Sequence, residues 1–265
     1  MLYFVATPIG NLKDITFRAI EVLKSVDVIA CEDTRNSLVL LNHYNIHKKL
    51  IAYHKHNEET SSNGIIKLLE EGKEVAVISD GGMPVISDPG NKLIKKLIAN
   101  NLPYTIIPGA SAGLSALVLS GFNAEHFSFV GFLPEKNKQR SNILQQFKTY
   151  RTTLIFYISP HNIEKDLKEI YAVFGKRKAC LVKEITKIYE TIEFFELGET
   201  PKTEIKGEFV LIVEGTTDDP LLKMTKKEQL NHFLEQGLNE KEALKQVAKL
   251  NNIKNKYELK EELSN

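Results

Sequence analysis

The sequence contains no tryptophan and only two cysteines in 265 residues. Cys31 and Cys180 are far apart and belong to no Cys-x-x-Cys or Cys/His spacing. This usage argues against a disulfide framework and against a zinc site. We therefore expect a protein of the reducing cytoplasm that holds no metal ion.

Long apolar runs are also missing. No run approaches the roughly 20 apolar residues that a membrane helix needs. The first apolar stretch, residues 2–9, has no basic segment before it and includes Pro8, so it is predicted to be a first strand rather than a signal peptide. We expect no membrane partner.

Neither sign of charge is in excess. Thirty-five basic and 34 acidic side chains give a formal net charge of +1, too little for a strong field that attracts nucleic acid. Basic residues cluster locally at 135–140 and 176–178, where solvated loops are the simpler explanation. Any contact with RNA must be local, and DNA is not an expected partner.

Short β-branched runs alternate with helical patterns through the first 120 residues, beginning with a strand over 2–7 and a helix over 15–26. Such alternation predicts a parallel sheet with helices on both faces. After a break near 121–126, strand candidates follow one another with little helix between them. This second pattern predicts a mixed sheet in a second α/β lobe.

The tail differs from both lobes. It has two helical patterns, separated by Gly237, and a charged end. The predicted domains are therefore an N-terminal α/β lobe (1–122), a C-terminal α/β lobe (123–219) and a small helical domain (220–265).

Unusual loops follow the predicted strands, where α/β sheets bind ligands. In "SDGGMPVISDPG" (79–90) the glycines permit close backbone approach, and Pro84 and Pro89 stiffen the path. The loop has neither a P-loop nor a dinucleotide-binding pattern. We expect Asp80 to face a ligand and Asp88 to cap the next helix.

A second loop, "PGASAG" (108–113), follows a strand and opens a helix of small residues. With Ser111 as the capping residue, its free N–H groups could bind a carboxylate. Tight packing of the helix on the sheet is the alternative.

Three further segments carry ionisable groups, and each has a plain structural alternative. Glu32, Asp33 and Arg35 follow a strand, where they could act in acid–base chemistry or form an ion pair that caps a helix. His54 and His56 are expected on one face of a strand, without a third metal ligand. The stretch 183–191, which includes Lys187, is expected on an edge strand.

Taken together, "VATPIGNLKDITFRA", "CEDTR", "SDGGMPVISDPG", "IPGASA", "FVGFLP", "SPH", "KEITKIYET" and "GEFVLIVEG" closely resemble the bacterial 16S rRNA (cytidine-2'-O)-methyltransferase I family of the tetrapyrrole methylase superfamily. The resemblance runs from residue 2 to about 215. It implies two α/β lobes with S-adenosylmethionine in the cleft between them, a homodimer, and 16S rRNA in the 30S subunit as substrate.

The resemblance also implies which residues bind the cofactor. Pro8 would line the cleft, the 80–87 segment would wrap the methionine part, and residues of the second lobe would lie near adenine. Tetrapyrrole-modifying relatives commonly have aspartate where this chain has Met83, whereas Ile158 and Asn162 depart from the expected "YESPHR". The implied cofactor residues are Pro8, Asp80, Gly81, Gly82, Met83, Ile86, Ser87, Ser111, Ala112, Tyr157, Gly207 and Glu208.

Methyl transfer to a ribose hydroxyl needs an in-line arrangement and a base or polarising group. Glu32, Asp33 and His54 are the candidate bases, while Arg35 and Lys187 suit a phosphate or a carboxylate. Two other functions stay open: methylation of a precorrin-like tetrapyrrole, and a non-catalytic cofactor-binding module for RNA or ribosome assembly.

Overall fold

The computed structural model describes residues 1–217, 220–251 and 253. The described residues form two compact units, one of residues 1–144 with 152–214 and one of residues 145–151 with the described residues from 215 onward. The charged end predicted after the tail helices lies outside the described residues. The boundaries of the three predicted domains stay a prediction.

The first half of the large unit alternates strands with helices, as the apolar pattern predicted. Each strand has four residues, and the strands Val28–Cys31 and Val75–Ile78 are buried along their whole length because helices cover both faces. The elements are β1 Leu2–Val5, α1 Phe17–Ser25, β2 Val28–Cys31, α2 Thr34–His43, β3 Lys49–Ala52, α3 Glu58–Glu70, β4 Val75–Ile78, α4 Asn91–Ala99, β5 Tyr104–Ile107 and α5 Ala112–Ser120.

These five strands form one parallel sheet in the order β3-β2-β4-β1-β5. Its two faces carry two apolar clusters, one that includes Leu93 and Leu97 of α4 and one that includes Leu23 of α1 and Leu41 of α2. Because all strands run in the same direction, the loops after β4, β1 and β5 leave from neighbouring positions at one edge.

The second half of the large unit is a mixed sheet, also as predicted. Its strand order is β6-β7-β10-β8-β9, and only β6 and β7 are parallel. The elements are β6 Phe127–Phe132, α6 Asn137–Phe147, β7 Thr153–Ile158, α7 Ile163–Phe174, β8 Lys178–Lys183, β9 Thr191–Glu196 and β10 Phe209–Val213. Since β10 runs antiparallel to β7 and β8, its start lies beside the ends of both.

Helix α5 follows a strand of the first sheet but packs against the second. Its inner residues Ala116 and Leu117 are buried in one cluster with Ile155 of β7 and Ile212 of β10. The helix therefore belongs to the apolar core of the second sheet, although it follows a strand of the first.

One arginine of each basic cluster is buried, whereas the lysines are exposed as expected of solvated loops. Arg140 is 2 % exposed and is bound by the carboxylates of Asp166 and Glu169, so it ties α6 to α7. Arg177 is buried with its guanidinium 4.6 Å from the centre of the Phe174 ring. Neither arginine is available to contact RNA.

In the small unit, α8 Lys226–Glu235 and α9 Glu240–Leu250 lie on either side of Gly237, as predicted. Each helix begins with a capping box, formed by Thr225 with Glu228 and by Asn239 with Glu242. Leu230 and Phe233 of α8 pack against the buried face of α9. No helix in the described residues is both long and apolar enough to cross a membrane.

Candidate active site in the cleft

A cavity of about 560 Å³ opens in the large unit, between the strand ends of the first sheet and those of the second. The first sheet contributes the loops after β1, β4 and β5, and the second contributes the loops after β7 and β8 and the start of β10. Every residue that the resemblance implied for the cofactor lines this cavity, except Gly207. Lining residues that were not among the implied cofactor residues are Ile9, Gly10, Asp88, Phe132, Ile158, Ser159, Pro160, Ile185, Phe209 and Val210.

The loops after β1 and β4 are joined by main-chain hydrogen bonds. Thr7 and Gly82 exchange two N–H···O bonds of 3.0 Å each. The Thr7 hydroxyl donates to the Ser79 carbonyl at 3.1 Å, and the Ser79 hydroxyl donates to the Gly82 carbonyl at 3.1 Å. Gly82 has φ +83°, and a Cβ there would lie 3.2 Å from Cγ2 of Ile9, so this close approach requires glycine.

The rest of the 79–90 loop stores backbone strain. Val85 and Ser87 have φ values of 77° and 70°, which L side chains rarely adopt and which are least favourable for a β-branched residue. Such residues persist where the surroundings hold them, and they concentrate at ligand sites. Here the two strained positions lie just before Asp88.

Asp88 does not cap α4, contrary to expectation. The N-cap position is Gly90, and the Glu58 carboxylate of α3 accepts from the N–H groups of Gly90 and Lys92 at 2.9 and 3.3 Å. Glu58 satisfies these amides, so Asp88 does not bind them, and it is one of the residues that line the cavity. It makes no hydrogen bond or ion pair with any residue in the described part of the chain.

Burial raises the pKa of the Asp88 carboxyl to about 6. The negative charges of Glu32 and Asp80 also raise it, and the positive charge of Lys55 opposes them. Asp88 is therefore a half-buried acid that gains a proton far more readily than an exposed aspartate.

Asp80 is held from the neighbouring strand end. Its carboxylate accepts from the Asn36 side-chain amide at 2.9 Å and from the Asp33 N–H at 3.3 Å. The start of α2 thus fixes the direction of Asp80 at the cavity wall.

Glu32, Asp33, Arg35 and His54 are not among the described residues that line the cavity. Asp33 caps α2 and binds the Arg35 guanidinium at 3.1 Å, which is the structural alternative given for this pair. Hydrogen bonds from Arg35 lower the pKa of Asp33. The Arg35 side chain is itself 88 % exposed.

His54 and His56 do not share a strand face, because β3 ends at Ala52 and both follow in a turn. Asn57 shapes this turn, since its side-chain carbonyl accepts from the His54 N–H at 2.8 Å. The described residues contain no group of three or more His, Cys, Asp or Glu side chains placed to hold a metal ion.

The segment 184–190 is a turn between β8 and β9 rather than an edge strand. Glu184 and Thr186 have φ values of 51° and 67°, which end the extended conformation after Lys183. The turn directs Lys187 into the cavity wall, where its ammonium binds Glu184 at 2.8 Å and Glu208 at 2.9 Å.

Lys187 is a fixed cation. Partial burial opposes its protonation, but hydrogen bonds to Glu184 and Glu208 outweigh this, and the pKa of the ammonium is raised. Gly207 supports the same cluster from outside the cavity. Its φ is +95°, and a Cβ there would lie 2.5 Å from Oε1 of Glu184, so the glycine lets that carboxylate approach the main chain.

Tyr157 connects the second sheet to the start of α5. Its hydroxyl accepts from the Gly113 N–H at 3.3 Å, and its ring meets Phe129 and Phe132 edge to face. Burial raises the pKa of this phenol, and the charge of Asp88 adds to the effect. Ser111 is the N-cap residue of α5, but its side chain makes no capping hydrogen bond, contrary to expectation.

The two departures from the family pattern have different surroundings. Ile158 is 3 % exposed, pairs with Phe209 of β10 and lines the cavity. Asn162 is the N-cap residue of α7 without a side-chain cap. An apolar side chain thus completes the cavity wall at position 158.

The cavity suits S-adenosylmethionine. Its volume lies within the usual range for small-molecule sites, about 300–1,000 Å³. Carboxylates of Asp80, Asp88 and Glu208 stand along its wall, and the cofactor carries an ammonium and a sulfonium. The Ser111 hydroxyl, which makes no capping hydrogen bond, and the main chain of Gly81 and Gly82 supply neutral polar groups at the cavity wall.

A model of the tetrapyrrole (corrin/porphyrin) methylases matches residues 1–201. The chain therefore belongs to this family and is a methyltransferase. Diphthine synthase has a similar fold, with a TM-score of 0.66 and 15% identity over 80% of this chain and 89% of its own. The predicted fold class of two α/β lobes is confirmed.

Two relatives identify the branch of the family to which the chain belongs. It is 44% identical over 257 residues to the ribosomal RNA small subunit methyltransferase I of Halalkalibacterium halodurans, covering 93% of this chain and 89% of that one. It is 40% identical over 266 residues to the protein of the same name from Bacillus subtilis, covering 96% and 90%. Within the family, the chain belongs to the ribosomal RNA small subunit methyltransferase I branch, and the resemblance found in its motifs is confirmed.

The raised pKa of Asp88 has a consequence for stability. In the unfolded chain an aspartate has a pKa of about 3.9, so this group lowers the free energy of unfolding as pH rises from about 4 to about 6, and the cost is complete above that. Asp88→Asn should raise the free energy of unfolding at about pH 7.5 by about 1–2 kcal/mol, a figure reduced for solvent screening of a half-exposed group. Urea denaturation at several pH values measures this, and a gain that persisted unchanged at about pH 4 would contradict it.

Proposed function

We propose that the protein transfers a methyl group from S-adenosylmethionine to the 2'-oxygen of a cytidine ribose in 16S rRNA, with the 30S subunit as substrate. The observation that carries this proposal is the single cavity lined by Pro8, the 80–87 segment, Ser111, Ala112, Tyr157 and Glu208. The relatives' names support a small-subunit RNA substrate. Such a substrate also favours the cytoplasm as the place of action.

When bound, S-adenosylmethionine supplies an electrophilic methyl group on a sulfonium sulfur. Asp80 and the Gly81–Gly82 backbone would hold the cationic methionine part, and the α5 start with Ser111 would receive its carboxylate. Tyr157 and Glu208 would form the adenosine side. Fixing the donor in this way lets the hydroxyl approach in line, and alignment alone can supply several kcal/mol.

The RNA would approach over the carboxyl edge of the first sheet. Arg35 follows β2 there with its guanidinium 88 % exposed, and Lys55 follows β3 with an exposed side chain. Their position beside the cleft favours contacts to phosphates. The near-zero net charge fits recognition of a folded subunit by shape, with few phosphate contacts.

The function is tested with labelled S-adenosylmethionine and three acceptors: 30S subunits, naked 16S rRNA and a precorrin-like tetrapyrrole. We expect label in the 30S subunits, at a cytidine 2'-oxygen when the product nucleotide is mapped. Gly82→Ala should abolish transfer, because the Cβ and the positive φ disturb the cofactor loop. Gly64→Ala is the matched control, since a Cβ there meets nothing within 4 Å.

Label in the tetrapyrrole instead would replace the proposal with the tetrapyrrole reaction. Cofactor binding without transfer to any of the three acceptors would favour a non-catalytic module.

Neither Asp33 nor Arg35 is proposed to take part in the methyl transfer itself. Asp33 positions Asp80, and Arg35 contacts the RNA. Arg35→Ala should raise KM for 30S subunits about 3- to 10-fold, as expected for one lost phosphate contact, and leave the cofactor Kd unchanged. Asp33→Ala should weaken cofactor binding, since it disturbs the loop that holds Asp80. Steady-state kinetics and calorimetric titration measure both, with Arg18→Ala on α1 as the control. Normal kinetics in both folded variants would remove this loop from the functional site.

A homodimer is proposed from the apolar surface of α5. The helix, AGLSALVLS, has no charged residue, and its outer residues Leu114 and Val118 are 50 % and 76 % exposed. A helix that is apolar all round is normally buried, and a second copy of the chain would cover this face.

Sedimentation should therefore find a dimer for the unmodified protein and a monomer for Val118→Glu. Val39→Glu on α2 adds the same charge at a position 65 % exposed and should stay dimeric. A dimer that tolerates Val118→Glu would exclude this face.

A further inference from the structure

We propose that the Tyr189 ring stacks on an unpaired base of the substrate RNA and so holds the neighbouring ribose over the cavity. This inference rests on the proposed function, and it names a substrate-binding residue that is not among those lining the cavity. It starts from the tip of the turn between β8 and β9, which is formed by Ile188 and Tyr189. Their side chains are 94 % and 76 % exposed.

Main-chain and side-chain hydrogen bonds hold this turn in shape. The Glu190 N–H donates to the Lys187 carbonyl at 3.2 Å, so Ile188 and Tyr189 are the two central residues of a closed turn. The Thr186 N–H donates to the Glu190 carboxylate at 2.7 Å. These bonds fix the position of the tip without burying it.

The tip lies at the rim of the cavity. Lys187, the residue before it, belongs to the cavity wall, and its ammonium is bound by Glu184 and Glu208. The loop after β1 packs against the same turn, since a Cβ on Gly10 would lie 2.6 Å from Cγ of Lys187. Gly10 also lines the cavity. The tip is therefore carried by the place where the loops of the two sheets meet.

The composition of the tip indicates a binding surface. Single exposed apolar residues are common on proteins, and tight turns are mostly built from Gly, Pro, Asn, Asp and Ser. Here two large apolar residues are adjacent on a fixed turn beside a ligand site. The Tyr189 side chain makes no hydrogen bond or ring contact with any residue in the described part of the chain, so its ring is free to receive a ligand.

The charges around the tip favour a base over a phosphate. Glu184, Glu190 and Glu208 stand against the single ammonium of Lys187, which is already paired. This excess of negative charge would repel a phosphate, whereas the face of a base is uncharged. Stacking on an aromatic ring is a common way for proteins to hold unpaired RNA bases, and it agrees with a net charge of only +1.

A displaced base has a direct use in the proposed reaction. The 2'-oxygen has to enter the cavity in line with the bond between sulfur and the methyl carbon. A ribose can reach that position only when the bases next to it leave their stack in the RNA. An aromatic ring at the rim of the cavity replaces the stacking contact that such a base gives up.

The kinetic test compares the unmodified protein with Tyr189→Ala, Tyr189→Leu and Tyr189→Phe. Tyr189→Ala should raise KM for 30S subunits about 5- to 100-fold, as expected for the loss of one stacked base. Its kcat and cofactor Kd should stay within about threefold, because the contact is made to bound RNA before and during the transfer. Tyr189→Phe should restore KM and Tyr189→Leu should not, since only a ring offers a stacking face.

Tyr104→Ala is the matched control. Tyr104 is 40 % exposed and lies at the start of β5, at the end of the first sheet away from the cavity, so this variant should keep the KM of the unmodified protein. The salt dependence of KM separates stacking from an ionic contact. Tyr189→Ala should keep the slope of log KM against log salt concentration, whereas Arg35→Ala should reduce it.

A spectroscopic readout does not depend on turnover. The chain has no tryptophan, so Tyr189→Trp places a single indole at the tip. Incorporated as 5-hydroxytryptophan, this indole is excited separately from the tryptophans of ribosomal proteins. We expect 30S subunits to quench its fluorescence as a base stacks on it, and to leave the fluorescence of Tyr104→Trp, labelled in the same way, unchanged.

The outcomes separate the two proposals. If the unmodified protein transfers no methyl group to 30S subunits, the proposed function fails and the role of Tyr189 fails with it. If it is active and Tyr189→Ala keeps its KM, or 30S subunits do not quench the labelled tip, only the role of Tyr189 is overturned. Full restoration by Tyr189→Leu would also overturn stacking. So would a Tyr189→Ala protein that sediments as a monomer where the unmodified protein is a dimer, because the tip would then contact a second copy of the chain.

Discussion

The position of β1 between β4 and β5 decides which loops of the first sheet can share a ligand. Parallel strands send their carboxyl ends to one edge, so the three loops that follow these strands lie side by side. Reciprocal hydrogen bonds between Thr7 and Gly82 fasten two of them together. The loops after β2 and β3 leave from strands farther from β5, and their side chains reach the cavity only through others, as Asp33 does through Asp80.

The second sheet brings its residues together through antiparallel pairing. Because β10 is antiparallel to both β7 and β8, its first residues meet the last residues of the other two strands. Glu208, Lys187 and Glu184 come together there as an ion-pair cluster around a left-handed turn. Removing one member would leave partly buried charge unpaired, so this wall of the cavity is held in one arrangement.

The alternation of strands and helices made the fold class predictable, since period and turn residues carry that information locally. The loops with Pro8, Asp80 and Ser111 were also recognisable as strand-end features, and the resemblance assigned them to one cofactor. Strand order is not encoded locally, and it is what separates His54 on the sheet edge from Asp88 near the centre. The turn at 184–190 was misread as a strand because its residues alternate in polarity, whereas Glu184 and Thr186 adopt positive φ values for contacts that are distant in sequence.

The exchange of roles between Asp88 and Glu58 shows how a site can be built against local preference. The sequence predicted that Asp88 would bind the free N–H groups of α4, as an aspartate at the N-cap position does. Here a glutamate from α3 binds them, and the aspartate is kept half-buried beside two other carboxylates. This arrangement lowers stability at neutral pH. Such a cost is understandable where the cavity receives a cation, because a positive charge near the ionised carboxylate offsets the same desolvation and repulsion that raise its pKa.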